Sequence, residues 1–201
     1  MKSRKITDQT FRLALGGVFA ALVLIFQLIS YTVKIGEFGM TVTLVPVVLG
    51  GALLGIKGGA ALGGVFGIVV SICSIIGLDG GGNILFGVDP LLTLLVCLVK
   101  GVAAGAVAAL IYKLTININS TLAAVLSSAI APIVNTGLFV ASMFIFFKST
   151  LTAWAGGTDV LIYTITGLVG VNFIIEFALG ILLSPLVLAV IRAVSKTSKF
   201  E

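Results

Sequence analysis

Two ionisable side chains in this sequence lie deep inside apolar stretches, where a charged group could bind a polar ligand. Lys100 lies about ten residues into one stretch and Glu176 about 13 residues into another, which in a helix is a depth of about 15 Å or more. A lone charge in an apolar environment costs several kcal/mol, so the two side chains could pair with each other. Alternatively, one or both could contact a polar ligand, and Lys100 could meet a carboxylate.

Uncharged polar residues accompany these charges. Asn172 precedes Glu176 by four residues and shares its helix face, whereas Asn135 follows Pro132, a residue that can kink a helix. This pattern predicts a polar-lined pocket that opens at the outer half of a helical bundle. The candidate ligand-binding residues are Asn135, Asn172, Glu176, Lys100, Asn83, Gln27, Tyr31 and Trp154. The aromatic members of this set could instead be anchors at a membrane interface.

Residue types that commonly carry catalysis are scarce. Histidine is absent, which excludes imidazole catalysis and histidine-bound metals. Cys73 and Cys97 lie in apolar runs and are interpreted as small buried hydrophobic residues. The phosphate-binding pattern Gly-x-x-x-x-Gly-Lys-Ser/Thr does not occur. We therefore expect no enzymatic activity, no cofactor and no metal, and active transport would need energy from another chain.

The composition indicates whether the chain is surrounded by water or by lipid. Hydrophobic residues make up 59% of the 201 residues and charged residues 9%, against about 25% charged residues in soluble domains. The mean hydropathy is +1.29. A soluble chain this apolar could not cover its core with polar surface, so water-soluble enzymes, nucleic-acid readers and disulfide-built secreted domains are excluded. The chain is expected in a lipid bilayer.

Charges and loop residues divide the chain into apolar stretches of the length that a membrane-spanning helix needs, about 20 residues. The sequence predicts a single all-α domain over residues 1–201 with six transmembrane helices. Because six is an even number, both termini are expected on one side of the membrane. The predicted spans are 11–33, 41–56, 58–78, 90–112, 121–147 and 163–194. The links 78–89 and 148–163 are longer than the others, and their glycines suggest flexible loops over the pocket.

Basic residues predict the orientation. Nine of the twelve lysines and arginines fall at the end with the termini: Lys2, Arg4, Lys5, Arg12, Lys57, Lys113, Arg192, Lys196 and Lys199. The positive-inside rule makes that end cytoplasmic and the protein a multi-pass component of the cell membrane. No small-residue cleavage site follows the first stretch, so we expect it to be retained. The net charge of +5 then reflects topology and requires no nucleic-acid partner.

Small residues recur at four-residue spacing, which lets helices approach closely in lipid. The longest register is Gly51, Gly55, Gly59, Gly63 and Gly67, with a turn expected near Lys57. It could pack within the chain or face a partner. A second strip of small residues on the first span consists of Gly16, Gly17, Ala20 and Ala21. The fourth span carries a similar strip of small residues, Gly101, Ala104, Gly105 and Ala108.

These features together resemble the substrate-binding S components of energy-coupling factor (ECF) transporters, the vitamin importers of bacteria and archaea. The resemblance covers nearly the whole chain. It is carried by residues 12–22 of the first span, by Pro46 with the hairpin 50–60, by 100–105 and by 132–136. The segment Pro132-Ile-Val-Asn-Thr136 and the pattern Asn172-x-x-x-Glu176 look most like the pantothenate-type branch; riboflavin or another vitamin is the alternative.

The resemblance implies an S-component bundle that binds a water-soluble vitamin with high affinity near the outer face. It implies docking onto a transmembrane T component that carries two ATPase subunits. The docking surface would be the strip of the first span, with Gly17 and Ala21 as the best match and Gly16 and Ala20 as the adjacent register. The first and third outer loops would gate the pocket.

Two other classes of function compete with a binding subunit. A stand-alone secondary carrier or channel for a small polar solute would move its solute without ATPase partners, but the inverted repeat common in carriers is not evident. A membrane enzyme would need a catalytic cluster. Intramembrane serine proteases use serine with histidine or lysine, and alcohol-phosphate transferases use helical aspartates, whereas the aspartates here lie in loops.

Overall fold

The computed structural model describes residues 2–31, 34–35, 38–39 and 42–197, and helices dominate these ranges. The helices are α1 (Lys2–Ser30), α2 (Leu44–Ile75), α3 (Gly80–Val88), α4 (Pro90–Thr115), α5 (Ser120–Ile145), α6 (Lys148–Ala155), α7 (Val160–Tyr163), a π-helix (Thr164–Gly170) and α8 (Val171–Thr197). Two antiparallel two-residue strands, β1 (Lys34–Ile35) and β2 (Phe38–Gly39), lie between α1 and α2.

Five helices in the described ranges are long and apolar enough to cross a membrane. They are Gln9–Ser30, Leu44–Ile75, Pro90–Thr115, Ser120–Ile145 and Asn172–Val194, and a shorter apolar helix, Val160–Gly170, precedes the last. The predicted class, a multi-pass helical membrane protein, is confirmed. Lys199 lies outside the described residues.

Helix α2 folds back on itself at Gly55. This glycine has φ 81° and ψ −174° inside an otherwise helical segment, and glycine adopts such a φ without a steric penalty. A Cβ on Gly51 would lie 3.3 Å from the Cα of Gly59, whereas a straight helix would separate these residues by about 12 Å. The turn expected near Lys57 is therefore at Gly55, between a short arm (residues 44–54) and a long arm (residues 56–75).

The long arm of α2 packs against α4 through a seam of glycines. We call this the glycine seam and define it as Gly59, Gly63, Gly67, Gly101 and Gly105. A Cβ on Gly63 would collide with the carbonyl oxygen of Gly101, and one on Gly67 would lie 2.6 Å from the carbonyl oxygen of Cys97. The two backbones are thus in direct contact. The predicted register packs within the chain, and α4 supplies the opposite face.

The short arm and the long arm of α2 occupy the centre of the bundle. The main apolar cluster joins α1, α2, α4, α5 and α8 through buried residues that include Val23, Val47, Phe66, Ala104 and Val187. At the end of the bundle that holds both termini, Arg12 donates a hydrogen bond from Nη2 to the carbonyl of Leu54 at 2.9 Å. Arg192 similarly donates to the hydroxyl of Ser120 at 3.0 Å.

The prediction of flexible loops over 78–89 and 148–163 is wrong for much of both links. Asp79 caps α3, since its Oδ1 accepts a hydrogen bond from the backbone N–H of Gly82 at 3.2 Å. Asp89 caps α4 in the same way by accepting from Leu92 at 3.0 Å, with Pro90 at the first helical position. Helices α6 and α7 occupy most of the second link. Side-chain caps thus begin α3 and α4, whereas α6 begins at Lys148 without one.

Candidate functional site

A cavity with a volume of about 100 Å³ lies between the helices. Its walls combine polar side chains with aromatic rings, chiefly those of Phe66, Phe139, Phe147 and Phe173. The polar lining residues are Gln27, Tyr31, Asp79, Thr93, Lys100, Asn135, Thr136, Asn172 and Glu176. Apolar walls with a few polar groups are typical of a small-molecule site.

The cavity lies in the half of the bundle that is remote from the chain termini. Gln27 is near the end of α1, Lys100 is in the first half of α4, Asn135 is past the middle of α5, and Asn172 is near the start of α8. Because neighbouring helices run in opposite directions, these positions share one level. The Gly55 turn, Arg12 and Arg192 are at the opposite end.

Lys100 extends from α4 into this cavity as a partly buried cation. Its Nζ lies 5.0 Å from the centre of the Phe139 ring, within the range of a cation–π interaction. This contact holds the ammonium group near an aromatic wall, and an ammonium group has three N–H donors with which to bind an acceptor. Lys100 can therefore present positive charge to an anionic group in the cavity.

Asn135 carries a hydrogen-bond acceptor without a protein donor. The residue is 6% exposed, and its Oδ1 has no hydrogen-bond partner within the described part of the chain. A buried polar atom without a partner is costly, by about 1–3 kcal/mol. A ligand that donates a hydrogen bond would remove that cost, so Asn135 favours a donor such as a hydroxyl or amide N–H.

Asn172 and Glu176 both line the cavity from α8, as their spacing of one helical turn predicts. Gln27 lines it from α1 and is 3% exposed. Its Oε1 accepts a hydrogen bond from the hydroxyl of Thr43 at 2.7 Å, which ties α1 to the start of α2. Tyr31 follows one turn later and adds a phenol to the same wall.

Two predicted site residues do not line the cavity. Asn83 is exposed, and its Nδ2 donates to the carbonyl of Ser74 at 2.9 Å, so it fastens α3 to the end of α2. Trp154 packs against an apolar cluster that includes Leu85, Phe147 and Leu168. Since those three residues also line the cavity, Trp154 supports the wall from behind.

The cavity also contains polar residues that were absent from the predicted set. Asp79 is 8% exposed and Thr93 is 2% exposed, and Thr136 is adjacent to Asn135. An aspartate ahead of a glycine-rich segment is an N-cap signal that could have identified Asp79. Thr93 carries no comparable signal, because its hydroxyl simply donates to the carbonyl of Asp89 at 2.8 Å within an apolar helix.

The predicted docking strip on α1 is divided between two faces. Gly17 and Ala21 are exposed, and a Cβ on Gly17 would meet nothing within 4 Å. Gly16 and Ala20 are partly buried, and a Cβ on Gly16 would lie 3.7 Å from Cδ1 of Leu54. The two registers are thus not equivalent, because only the first faces outward.

The described residues contain no group of three or more side chains of the metal-ligating types His, Cys, Asp and Glu that could hold a metal ion. Among the described residues, the cavity offers one cation, Lys100, two carboxyl groups, Asp79 and Glu176, several uncharged hydrogen-bonding groups and aromatic walls.

Comparison with known proteins finds a relative that matches this chain over nearly its full length. The chain is 26% identical to the "Pantothenic acid transporter PanT" of Lactococcus lactis subsp. cremoris (strain MG1363), over 207 residues that cover 98% of this chain and 97% of the relative. No family model matches the sequence. The similarity includes every helix that lines the cavity. It confirms the predicted pantothenate-type resemblance over nearly the whole chain.

Proposed function

We propose that this chain is the high-affinity substrate-binding subunit of an ECF-type importer and that its ligand is pantothenate. The observation that carries the proposal is the convergence of Lys100, Asn135, Asn172 and Glu176 on one cavity. The similarity to a pantothenic acid transporter over nearly the full length of both chains supports the choice of vitamin.

The chemistry of pantothenate is complementary to the cavity. The vitamin has one carboxylate, one amide and two hydroxyl groups. The carboxylate is the natural partner of Lys100, because a charge-assisted hydrogen bond is stronger than a neutral one. The hydroxyl groups are donors for Asn135 and Glu176. An acid in the site is then compatible with an anionic ligand, since the two ends of the ligand face opposite charges.

The proposed topology has six membrane passes with both termini in the cytoplasm. The turn at Gly55 supports counting the two arms of α2 as separate passes. Arg12, Lys57, Lys113 and Arg192 belong to the end of the bundle that holds the termini, and the positive-inside rule favours the cytoplasm for that end. The cavity would then open toward the outside, where a vitamin is captured.

The proposed partners supply the energy for uptake. The subunit would dock through the exposed face of α1, at Gly17 and Ala21, onto a T component bound to two ATPases. It would itself catalyse no reaction. Small residues at an exposed helix face support this choice, because they let a second transmembrane helix approach closely.

Titration of the purified chain in lipid nanodiscs tests the proposal. We expect pantothenate to bind with a Kd of about nanomolar order in the absence of ATP and of coupled ions. The alcohol analogue pantothenol, which lacks the carboxylate, should bind more weakly, and riboflavin should not bind. Preference for riboflavin would contradict the vitamin assignment. Pantothenate flux into liposomes that contain this chain alone would favour a stand-alone carrier.

A further inference from the structure

A second, smaller cavity lies next to the first, nearer the end with the termini. Its volume is about 10 Å³, which is close to the space one water molecule needs. Apolar side chains at the start of α2 form one side. The other side is formed by Ser128 and Pro132 of α5 and by Glu176 and Gly180 of α8. The cavity is thus small, enclosed by helices and partly polar.

Ser128 presents an unsatisfied hydroxyl to this cavity. The residue is 4% exposed, and its Oγ has no hydrogen-bond partner among the residues that the structure describes. Its neighbour Ser127 is equally buried, but the hydroxyl of Ser127 donates to the carbonyl of Ala124 at 3.1 Å. The Ser128 hydroxyl, unlike that of Ser127, donates to no carbonyl of its own helix. Because buried hydroxyl groups are usually hydrogen-bonded, this indicates a partner that is not a protein group.

The backbone of Ser128 adds a second acceptor. Pro132 lies four residues later and has no N–H, so the carbonyl of Ser128 receives no helical hydrogen bond from it. Gly180 approaches this carbonyl so closely that a Cβ there would lie 2.8 Å from the oxygen. The glycine lets α5 and α8 approach closely at this carbonyl, whose usual helical donor is missing because of Pro132.

Glu176 lies between the two cavities and lines both of them. Since Gly180 is level with Ser128 and the helices are antiparallel, Glu176 is one turn nearer to the ligand cavity. A single group in the small cavity can therefore bond to Ser128 on one side and to the carboxylate of Glu176 on the other. Such a site offers up to three polar partners, within the two to four that a buried water typically has.

We propose that the small cavity is a binding site for one water molecule that links Ser128 to Glu176. This water donates to the Glu176 carboxylate and to the Ser128 carbonyl and accepts a hydrogen bond from the Ser128 hydroxyl. Ser128 is then a positioning residue, because it fixes the carboxylate that faces the ligand without touching the ligand itself. The water site stands on geometry alone, whereas its effect on affinity rests on the proposed function.

A structure at a resolution that shows ordered water tests the site directly. We expect a peak within hydrogen-bond distance of Ser128 Oγ and the Glu176 carboxylate in the wild-type protein, and its loss in Ser128→Ala. An empty cavity in the wild type would overturn the proposal. A peak that gives an anomalous signal in crystals soaked in thallium(I) would overturn it in favour of a monovalent cation.

Pantothenate titration tests the positioning role. Ser128→Ala should weaken binding by about 2- to 10-fold, the effect of one hydrogen bond, and Ser127→Ala should leave it unchanged. In a Glu176→Gln background, the effect of Ser128→Ala should shrink toward none, because the two residues act through one water. Equal effects in both backgrounds would refute that coupling. If the wild-type protein binds no pantothenate, the proposed function fails, and the structural test still decides the water site.

Discussion

Two regions of this bundle, the glycine seam and the ligand cavity, are packed in opposite ways. In the glycine seam, α4 and the long arm of α2 bring their backbones into contact and leave no room for a single methyl group at Gly63. Around the ligand cavity, the helices leave a volume of about 100 Å³ open, and the buried Oδ1 of Asn135 lacks a hydrogen-bond partner among the described residues. The seam is filled by the chain's own atoms, whereas the cavity keeps space that no described side chain fills.

The same difference appears in the regularity of the helices. The long arm of α2 is continuous from the Gly55 turn to Ile75. In contrast, α5 contains Pro132, and a π-helix over Thr164–Gly170 places Leu168 and Val169 in the cavity wall. Proline and π-helical turns are common where a helix serves a site. The comparison teaches that the seam packs through regular helices, whereas irregular segments of the chain contribute to the wall of the cavity.

The largest effect should come from filling the seam. Gly63→Val places side-chain atoms where the carbonyl of Gly101 lies, so we expect destabilisation by about 3 kcal/mol or loss of the folded protein. Thermal unfolding in detergent measures this. Gly64→Ala is the matched control, since its Cβ would lie 3.5 Å from Val102 Cγ2, an ordinary contact. Similar unfolding temperatures for both variants would show that the seam is not rigid.

The next largest effect should come from removing the cation of the cavity. Lys100→Met preserves much of the side-chain volume but leaves the ligand carboxylate without its charged partner. We expect pantothenate to bind about 100-fold more weakly, and pantothenol to bind with nearly unchanged affinity. The two titrations by calorimetry distinguish recognition of the carboxylate from a general loss of the site. Equal losses for both compounds would place the carboxylate elsewhere.

A smaller effect should distinguish Asn135 from Asn83, both of which the sequence predicts as ligand-binding residues. Asn135→Ala should lower pantothenate affinity about 10-fold with little change in the thermal stability of the unliganded protein, because its Oδ1 makes no bond there. Asn83→Ala should do the reverse, since it breaks the bond to the carbonyl of Ser74 outside the cavity. An affinity loss in Asn83→Ala that matches the loss in Asn135→Ala would contradict this division.

The smallest effect on the isolated subunit should come from the exposed face of α1. Gly17→Leu points into open space, so stability should change by less than about 0.5 kcal/mol and binding should be retained. Vitamin uptake in cells with the complete importer should nevertheless be lost. Gly87→Leu, another exposed glycine with nothing within 4 Å, should leave uptake intact. Loss of binding in Gly17→Leu would refute the docking role.

Several site residues could be predicted because their environment in the sequence is unusual. Lys100 and Glu176 are charges within apolar helices, and such charges must face the interior or a partner. Asn172 follows from its spacing to Glu176, and Asn135 from its place beyond Pro132. Asn83 was predicted from its place in the link 78–89, yet in helix α3 its side chain donates to the carbonyl of Ser74. A polar residue in a link does not reveal whether it serves the ligand or the backbone.

Other parts of the site depend on contacts that no local pattern encodes. Asp79 lines the cavity from its position as the N-cap of α3. Thr93 lines the same cavity from the first turn of α4. The π-helix over Thr164–Gly170 likewise follows from no pattern identified in the sequence. These features are decided by packing between helices that are distant in the chain.

The sequence by itself determined the solvent, the helical class and the positions of the apolar stretches. Backbone hydrogen bonds must be satisfied inside a bilayer, and composition alone shows that the chain belongs there. Only the tertiary structure decided that Gly63 meets Gly101 and that Lys100, Asn135 and Glu176 share one cavity. The physical reason is that lipid is as apolar as the protein core, so hydrophobicity does not mark which helix face turns inward. Close packing and the pairing of polar groups make that choice.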